Sequence, residues 1–366
     1  MLDEVLSRLE KLFEVADLRP VEWANGAVRW LDVTLLPWEE KWRETRSVER
    51  LAEAIKRLEI RGAPAIGVAA ALGVAMAVHN AGGGRDNVAR VGLEAVEVLR
   101  RTRPTAYNLF WALDRMKLVL EEAGALRETE LRERVLEEAL RIQAEDIEAN
   151  IRMGEHGEKL IPSGATVLTH CNTGALATAG YGTALGVIRT AWRRGKDIRV
   201  IATETRPLLQ GARLTAWELK REGIPFKLVT DNSVGFLAAN DMVDLAVVGA
   251  DRILVTGHFA NKIGTYMIAV LLKRHGKKMY TAAPTSTIDP QTRPGGIRIE
   301  MRRPEEVTSI MGRLPIAPEG TDAVNPAFDV TPPELLDAVV TEAGVAEPPF
   351  EESIPRLLEG GVAGKL

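Results

Sequence analysis

The hydrophobic rhythm of the chain changes once, close to residue 160. Before that point apolar residues recur at three- and four-residue spacing, the mark of helices that bury one face. The spacing predicts helices over 48–58, 66–79, 88–100, 107–122 and 128–158, after a short β-like opening at 28–36. Pro162-Ser163-Gly164 interrupts the pattern, and short apolar runs then alternate with longer helical ones. Strands are predicted at 166–169, 199–203, 226–229, 245–248 and 278–282, with intervening stretches long enough for crossover helices. Such alternation builds a parallel sheet covered by helices on both faces. The fold class expected is therefore α/β, with a mainly helical domain over 1–160 and a parallel-sheet domain over 161–366. A small-residue helix is expected at 175–188, and the Pro-rich stretch 347–355 reads as a tail or an arm.

Composition narrows the function classes. With 366 residues, 46% of them apolar and 27% charged, the chain can fill a substantial core. A net charge of −4 argues against nucleic acid as the main partner, since a phosphate backbone calls for a basic surplus. A single cysteine excludes an internal disulfide framework. No uninterrupted apolar stretch reaches the ~20 residues of a spanning helix. The nearest candidate, 63–78, is mostly Ala and Gly, and the first twelve residues lack a signal peptide's apolar core. A cytoplasmic protein with no membrane partner is expected. Only three glutamines, against many Arg, Glu and Lys, fit a heat-adapted source.

Ligands of open α/β sheets bind outside the carboxyl ends of the strands. Polar residues collect there: Cys171 follows the first predicted strand, Glu204-Thr205-Arg206 the second, Asp231-Asn232 the third and Asp251 the fourth. Cys171 reads either as a small buried hydrophobe or as a thiolate favoured by helix N–H groups after Thr169-His170-Cys171-Asn172-Thr173-Gly174. Asp251 ends an apolar run and reads either as an acid/base carboxyl raised by desolvation or as the cap of a following helix. Asn261-Lys262-Ile263-Gly264-Thr265 is expected to open a helix, where Lys262 either binds an oxyanion or a sugar hydroxyl or faces solvent. Arg61-Gly62-Ala63-Pro64-Ala65 and Arg103-Pro104-Thr105-Ala106 each pair a phosphate-binding arginine with small neighbours, and each also reads as an ordinary helix start. The five histidines form no metal-ligand spacing, and His170, beside Cys171 on an extended strand, is expected to face away from it and pack. No GxGxxG or Walker pattern follows a strand, so neither metal nor nucleotide cofactor is expected.

Taken together, Arg61-Gly62-Ala63-Pro64-Ala65-Ile66-Gly67, Arg103-Pro104-Thr105-Ala106-Tyr107-Asn108-Leu109, His170-Cys171-Asn172-Thr173-Gly174, Glu204-Thr205-Arg206-Pro207 with Gln210-Gly211-Ala212-Arg213, Gly249-Ala250-Asp251-Arg252 and Ala260-Asn261-Lys262-Ile263-Gly264-Thr265-Tyr266 resemble the methylthioribose-1-phosphate isomerase family. Asn325-Pro326-Ala327-Phe328-Asp329 and Ile316-Ala317-Pro318-Glu319-Gly320 also look like it. The resemblance implies a helical amino-terminal domain, a Rossmann-like carboxy-terminal one and a homodimer working in methionine salvage. It implies cofactor-free interconversion of 5-methylthioribose 1-phosphate and 5-methylthioribulose 1-phosphate. Carried over by position, Asp251 is the proton donor and Cys171 assists the transition state. Arg61, Gly62, Ala63, Arg103, Gln210, Asn261 and Lys262 would hold the substrate. Thr256-Gly257-His258-Phe259 departs from the family's usual Asn-Gly-Asp, so a differently shaped loop is expected. Two rivals share the fold: ribose-1,5-bisphosphate isomerase, and the non-catalytic α, β and δ subunits of the translation-initiation exchange factor. Asn172-Thr173-Gly174-Ala175-Leu176-Ala177 looks more like the methylthioribose enzyme, and keeping both Cys171 and Asp251 argues against a binding scaffold.

Overall fold

In the computed structural model, which describes residues 2–103, 107–122, 124 and 126–362, the chain forms two compact units. The first comprises Met1–Asn150 with Gly174–Gly182, the second Ile151–Thr173 with Thr183–Leu366.

The first unit opens with α1 (Leu2–Val15) and an antiparallel sheet of β1 (Val21–Ala24), β2 (Ala27–Leu31) and β3 (Trp42–Thr45). Helices α2 (Val48–Lys56), α3 (Ala63–Asn80), α4 (Arg85–Arg100), α5 (Tyr107–Glu122) and α6 (Glu128–Gly157) follow, the last of these crossing into the second unit's residues. Every residue of α3 from Ala65 to Val78 is buried. Its Ala and Gly positions let neighbouring helices approach closely, as where a Cβ on Gly73 would overlap Leu51 of α2 at 2.6 Å. Among the described residues α3 alone is long and apolar enough to cross a membrane, and its burial marks it as a core helix. Arg115 on α5 ties down α6 through Glu138 and Glu145, each at 2.5 Å.

The second unit is built on seven strands: β4 (Thr166–Thr169), β5 (Arg199–Thr203), β6 (Phe226–Val229), β7 (Leu245–Val248), β10 (Lys278–Ala282), β15 (Ala338–Thr341) and β16 (Gly344–Ala346). They lie in the order β16-β15-β10-β7-β4-β5-β6, with all neighbours parallel except β15 and β16. The five predicted strands coincide with β4, β5, β6, β7 and β10. Alternate residues serve opposite faces: Leu168, Val248 and Val339 enter one apolar cluster, while Val167, Val247 and Val340 enter another. Helices α7 (Ala184–Arg193), α8 (Ala216–Arg221), α9 (Val234–Ala239) and α10 (Thr265–Arg274) are interleaved with these strands. A second sheet, order β11-β8-β9-β14, unites β8 (Arg252–Leu254), β9 (Phe259–Lys262), β11 (Ile288–Asp289) and β14 (Phe328–Thr331). Short α11 (Glu305–Thr308), β12 (Ser309–Ile310) and β13 (Leu314–Pro315) lie in the connection to β14.

Three expectations are corrected. The helix expected at 175–188 is only a 3-10 turn at Ala175–Ala177, and α7 starts at Ala184. Tyr181, Gly180 and Gly182 all take positive φ, which a helix cannot absorb. The tail expected at 347–355 is instead the start of α12 (Phe350–Val362), whose Phe350 and Ile354, four apart, enter the core. The β-like opening at 28–36 stops at Leu31, because Asp32 folds the next residues into a turn by accepting hydrogen bonds from Thr34. Helix α1 lies where alternating charge concealed Val5 and Leu9, which are buried four residues apart.

Candidate functional site

Cys171, two residues beyond the end of β4, is buried and sits in the left-handed region at φ 65°. For a residue with a side chain that conformation costs on the order of 1–3 kcal/mol, and it persists only where the surroundings hold it. Two threonines do so. The Cys171 N–H donates to Thr205 Oγ1 at 2.9 Å, and Thr215 Oγ1 donates to the Cys171 carbonyl at 2.6 Å. Both are fixed in turn: Asp231 accepts the N–H groups of Thr205 and Arg206 at 2.7 Å, and Asn172 Nδ2 bridges Thr215 and the buried Glu218, which pairs with Arg189. Threonine hydroxyls thus grip the Cys171 backbone, and the first α-helix after it, α7, starts only at Ala184.

His170 is fully committed to structure. Its Nε2 faces the Ile263 carbonyl at 2.9 Å, and since a carbonyl only accepts, Nε2 carries the proton. Nδ1 then accepts from Thr203 Oγ1 at 2.6 Å. Burial holds the imidazole below its ordinary pKa and keeps it neutral. Although neither His170 nor Cys171 lies on the extended strand assumed for them, a Cys–His dyad is still excluded, because both ring nitrogens are occupied.

Asp251 follows β7, the parallel neighbour of β4 in which Ala246 lies opposite Leu168. Thiol and carboxylate therefore stand beyond the carboxyl ends of adjacent strands. The Asp251 N–H donates to the Ala260 carbonyl at 2.9 Å and begins the β8–β9 hairpin, so no helix follows for it to cap. Thr256-Gly257-His258 forms the tip of that hairpin, where Thr256 Oγ1 meets His258 Nδ1 at 2.9 Å. Beyond β5, burial first and Asp231 second raise the Glu204 carboxyl above the usual carboxylate range.

Asn261 and Lys262 end β9 rather than opening a helix, and α10 begins only at Thr265. Both side chains are buried. Asn261 Nδ2 donates to Thr265 Oγ1 at 3.0 Å, and Lys262 Nζ donates to the Ala327 carbonyl at 2.9 Å while lying 4.7 Å from the centre of the Phe328 ring. Gln210 is buried with its Oε1 lacking a donor among the described residues. Leaving such an atom unsatisfied costs about 1–3 kcal/mol.

Arg61, Gly62, Ala63 and Arg103 belong to the first unit. Gly62 caps α3 at φ 93°, and a Cβ there would stand 2.2 Å from the Ala177 carbonyl oxygen, so only glycine fits. Arg61 and Ala63 flank that contact, and Arg103 follows α4. Pro104, Thr105 and Ala106, singled out beside Arg103, lie outside the described residues. Among the described residues no group of three or more His, Cys, Asp or Glu is arranged to hold a metal ion. Thr215 was not foreseen as a site residue, and Thr205, Asp231 and Asp329 were noted beyond a strand or within a motif without the contacts they make. Their one signal was polar identity at those places.

Comparison with known proteins completes the picture. The profile of the initiation factor 2 subunit family matches residues 59–348. A methylthioribose-1-phosphate isomerase of Thermotoga maritima is 53% identical over 344 residues, 93% of this chain and 98% of that protein. The crystal structure of 5-methylthioribose 1-phosphate isomerase from Pyrococcus horikoshii superposes with a TM-score of 0.90 at 44% identity, covering 94% of this chain and 97% of the other. Translation initiation factor eIF-2B, subunit delta, from A. fulgidus gives 0.85, also at 44% identity, covering 93% and 99%.

Proposed function

This chain belongs to the initiation factor 2 subunit family, and we infer that it interconverts 5-methylthioribose 1-phosphate and 5-methylthioribulose 1-phosphate, an aldose–ketose isomerisation in methionine salvage. The observation that carries this is Cys171 and Asp251 beyond the carboxyl ends of the adjacent parallel strands β4 and β7. The identity of about half to named isomerases along nearly the whole chain supports it.

The substrate's anomeric hydroxyl is phosphorylated, so its ring cannot open freely. Asp251 donates a proton to the ring oxygen as the ring opens. Hydrogen then passes from C2 to C1, either as a proton taken by a Cys171 thiolate and returned to C1 or as a hydride in a water-free pocket, and the C2 hydroxyl gives up its proton as it becomes the ketone. The grip on the Cys171 backbone fixes its place on either route, and its burial suits the water-free one. Gln210, Asn261, Lys262, Arg61, Gly62, Ala63 and Arg103 hold the substrate, the arginines serving its phosphate. The chain works as a mainly helical domain (1–160) and a Rossmann-like catalytic one (161–366), in a cytoplasmic homodimer.

The likeness to the eIF-2B subunit, equal in identity to that of the solved isomerase, favours a second reading as a binding protein. A scaffold has no chemical need for the Cys171–Asp251 pair, which is why the enzymatic reading ranks first. Purified protein is incubated with 5-methylthioribose 1-phosphate and, separately, with ribose 1,5-bisphosphate, and ketose formation is followed by NMR. Turnover of the methylthio sugar alone is expected. Turnover of the bisphosphate moves the chain to the rival isomerase, and inertness toward both leaves the binding role.

A further inference from the structure

Asn325-Pro326-Ala327-Phe328-Asp329 has no part in the chemistry above, yet it grips the turn that carries two proposed substrate ligands. β14 runs antiparallel to β9 with Phe328 opposite Lys262 and Asp329 opposite Asn261. The Ala327 carbonyl accepts both the Ile263 N–H, at 3.1 Å, and Lys262 Nζ, at 2.9 Å. Asp329 completes the grip: one carboxylate oxygen accepts the Gly264 N–H at 2.7 Å, and the other accepts the Tyr266 N–H at 3.1 Å. On the far side of the turn His170 binds the Ile263 carbonyl.

The turn needs such an anchor. Gly264 stands at φ 101° before α10, and that helix has no side-chain cap of its own. The acceptor for its first N–H groups comes instead from a strand more than sixty residues away. A full carboxylate is well suited to the positive end of a helix. It is a costly choice in a half-buried place, where an uncharged cap would hold a helix that had only to be stable. The charge makes sense if what must be fixed is the position of the neighbouring ammonium.

We propose that Asp329 is a positioning residue for the isomerisation: by binding the backbone N–H groups of Gly264 and Tyr266 it sets the turn that presents Asn261 and Lys262 to the substrate. The proposal rests on Lys262 being a substrate ligand, as proposed above. Phe328 assists by holding the ammonium over its ring.

The test is a double-mutant cycle in the full-length chain, with KM and kcat measured on 5-methylthioribose 1-phosphate. Asp329→Asn replaces one acceptor oxygen by an NH2 group facing an N–H. It is expected to raise KM on the order of tenfold, the loss of one charge-assisted bond. Lys262→Met raises KM by itself. The double variant is expected to be no worse than Lys262→Met, because Asp329 acts through the lysine. Should Asp329→Asn fail to fold, Asp329→Glu, which keeps the carboxylate but displaces it from the Gly264 and Tyr266 N–H groups, replaces it in the same two backgrounds, with a KM rise of about threefold in the wild type and none beside Lys262→Met. Effects that multiply in the double variant, or a wild-type KM for Asp329→Asn, overturn the positioning role alone. A wild-type KM for Lys262→Met overturns the substrate role of Lys262 and the inference with it.

Discussion

Helix α3 and the end of strand β4 are both buried, and they are held by opposite means. From Ala65 to Val78 α3 is enclosed by apolar neighbours, and its integrity rests on volume. At the end of β4, Thr169, His170, Asn172 and Thr173 are as buried as any core residue yet polar, and Cys171 among them is kept in a strained conformation by hydrogen bonds. Apolar packing tolerates relaxation, because a lost methylene leaves a space the surroundings partly fill. A hydrogen-bonded clamp does not, since each group has one position at which its partner is satisfied. The first kind of burial serves stability, and on the proposed chemistry the second serves the placing of a reactive group.

The largest expected effects separate the two regions outright. Leu72→Ala, at a fully buried position of α3, should lower stability by about 2–5 kcal/mol in denaturant titration. Below the unfolding transition the folded molecules should keep their turnover. Cys171→Ala and Asp251→Asn should do the reverse, cutting kcat roughly a hundred- to ten-thousand-fold with a melting temperature close to wild type. If Cys171→Ala unfolded the protein while retaining specific activity, the strand end would be core like α3 and the proposed chemistry would fall.

A smaller effect probes the clamp itself. Thr215→Val keeps the shape of the side chain and removes the hydroxyl that donates to the Cys171 carbonyl. The expected stability loss is only ~1 kcal/mol. The larger change is expected in kcat, about a tenfold fall with KM little altered, because a shift of the thiol alters the reacting geometry more than binding. Thr215→Ser should restore most of it. A Thr215→Val variant with wild-type kcat would show that the strained backbone of Cys171 holds without that bond.

How far each region was legible in the sequence follows the same division. Apolar spacing located α2 to α6 and all of β4, β5, β6, β7 and β10, because periodic burial leaves periodic residues. It missed α12, whose prolines masked the spacing of Phe350 and Ile354, and it extended a helix through 175–188 because Ala-rich composition says nothing of the positive φ at Tyr181. Cys171, Asp251, Asn261 and Lys262 were identified as residues, but their surroundings were not. The threonine clamp joins positions 171, 205 and 215, and the Asp329 contacts join 264 and 266 to a strand far along the chain. Such pairings depend on which strands become neighbours, and no local pattern records them.

The smallest expected effect concerns pH, and it sets the half-buried Asp329 against the buried His170, both bonded to the 262–266 turn. Burial pushes the Asp329 carboxyl up to about 6 from the ordinary 3.8, against its two backbone N–H bonds and Lys262. The folded state thus holds this proton more tightly than the unfolded chain. The stability it brings is fully present below pH 3.8 and is lost as pH rises through about 6. His170 has the opposite sign. Its folded pKa is lowered from 6.5 by burial, so its contribution is present above 6.5 and lost as pH falls. Unfolding free energies of wild type and Asp329→Asn, measured by urea titration at about pH 7.5 and about pH 5, isolate the carboxyl. Wild type should gain about 1 kcal/mol relative to the variant on acidification, the reverse of an ordinary salt-bridged carboxylate. Asp329→Asn, which lacks this gain and keeps the opposing histidine contribution, should be the more acid-labile protein. An equal pH response in the two would mean that Asp329 is solvated and that its charge costs the fold nothing, and the turn would then belong with the surface rather than with the clamp.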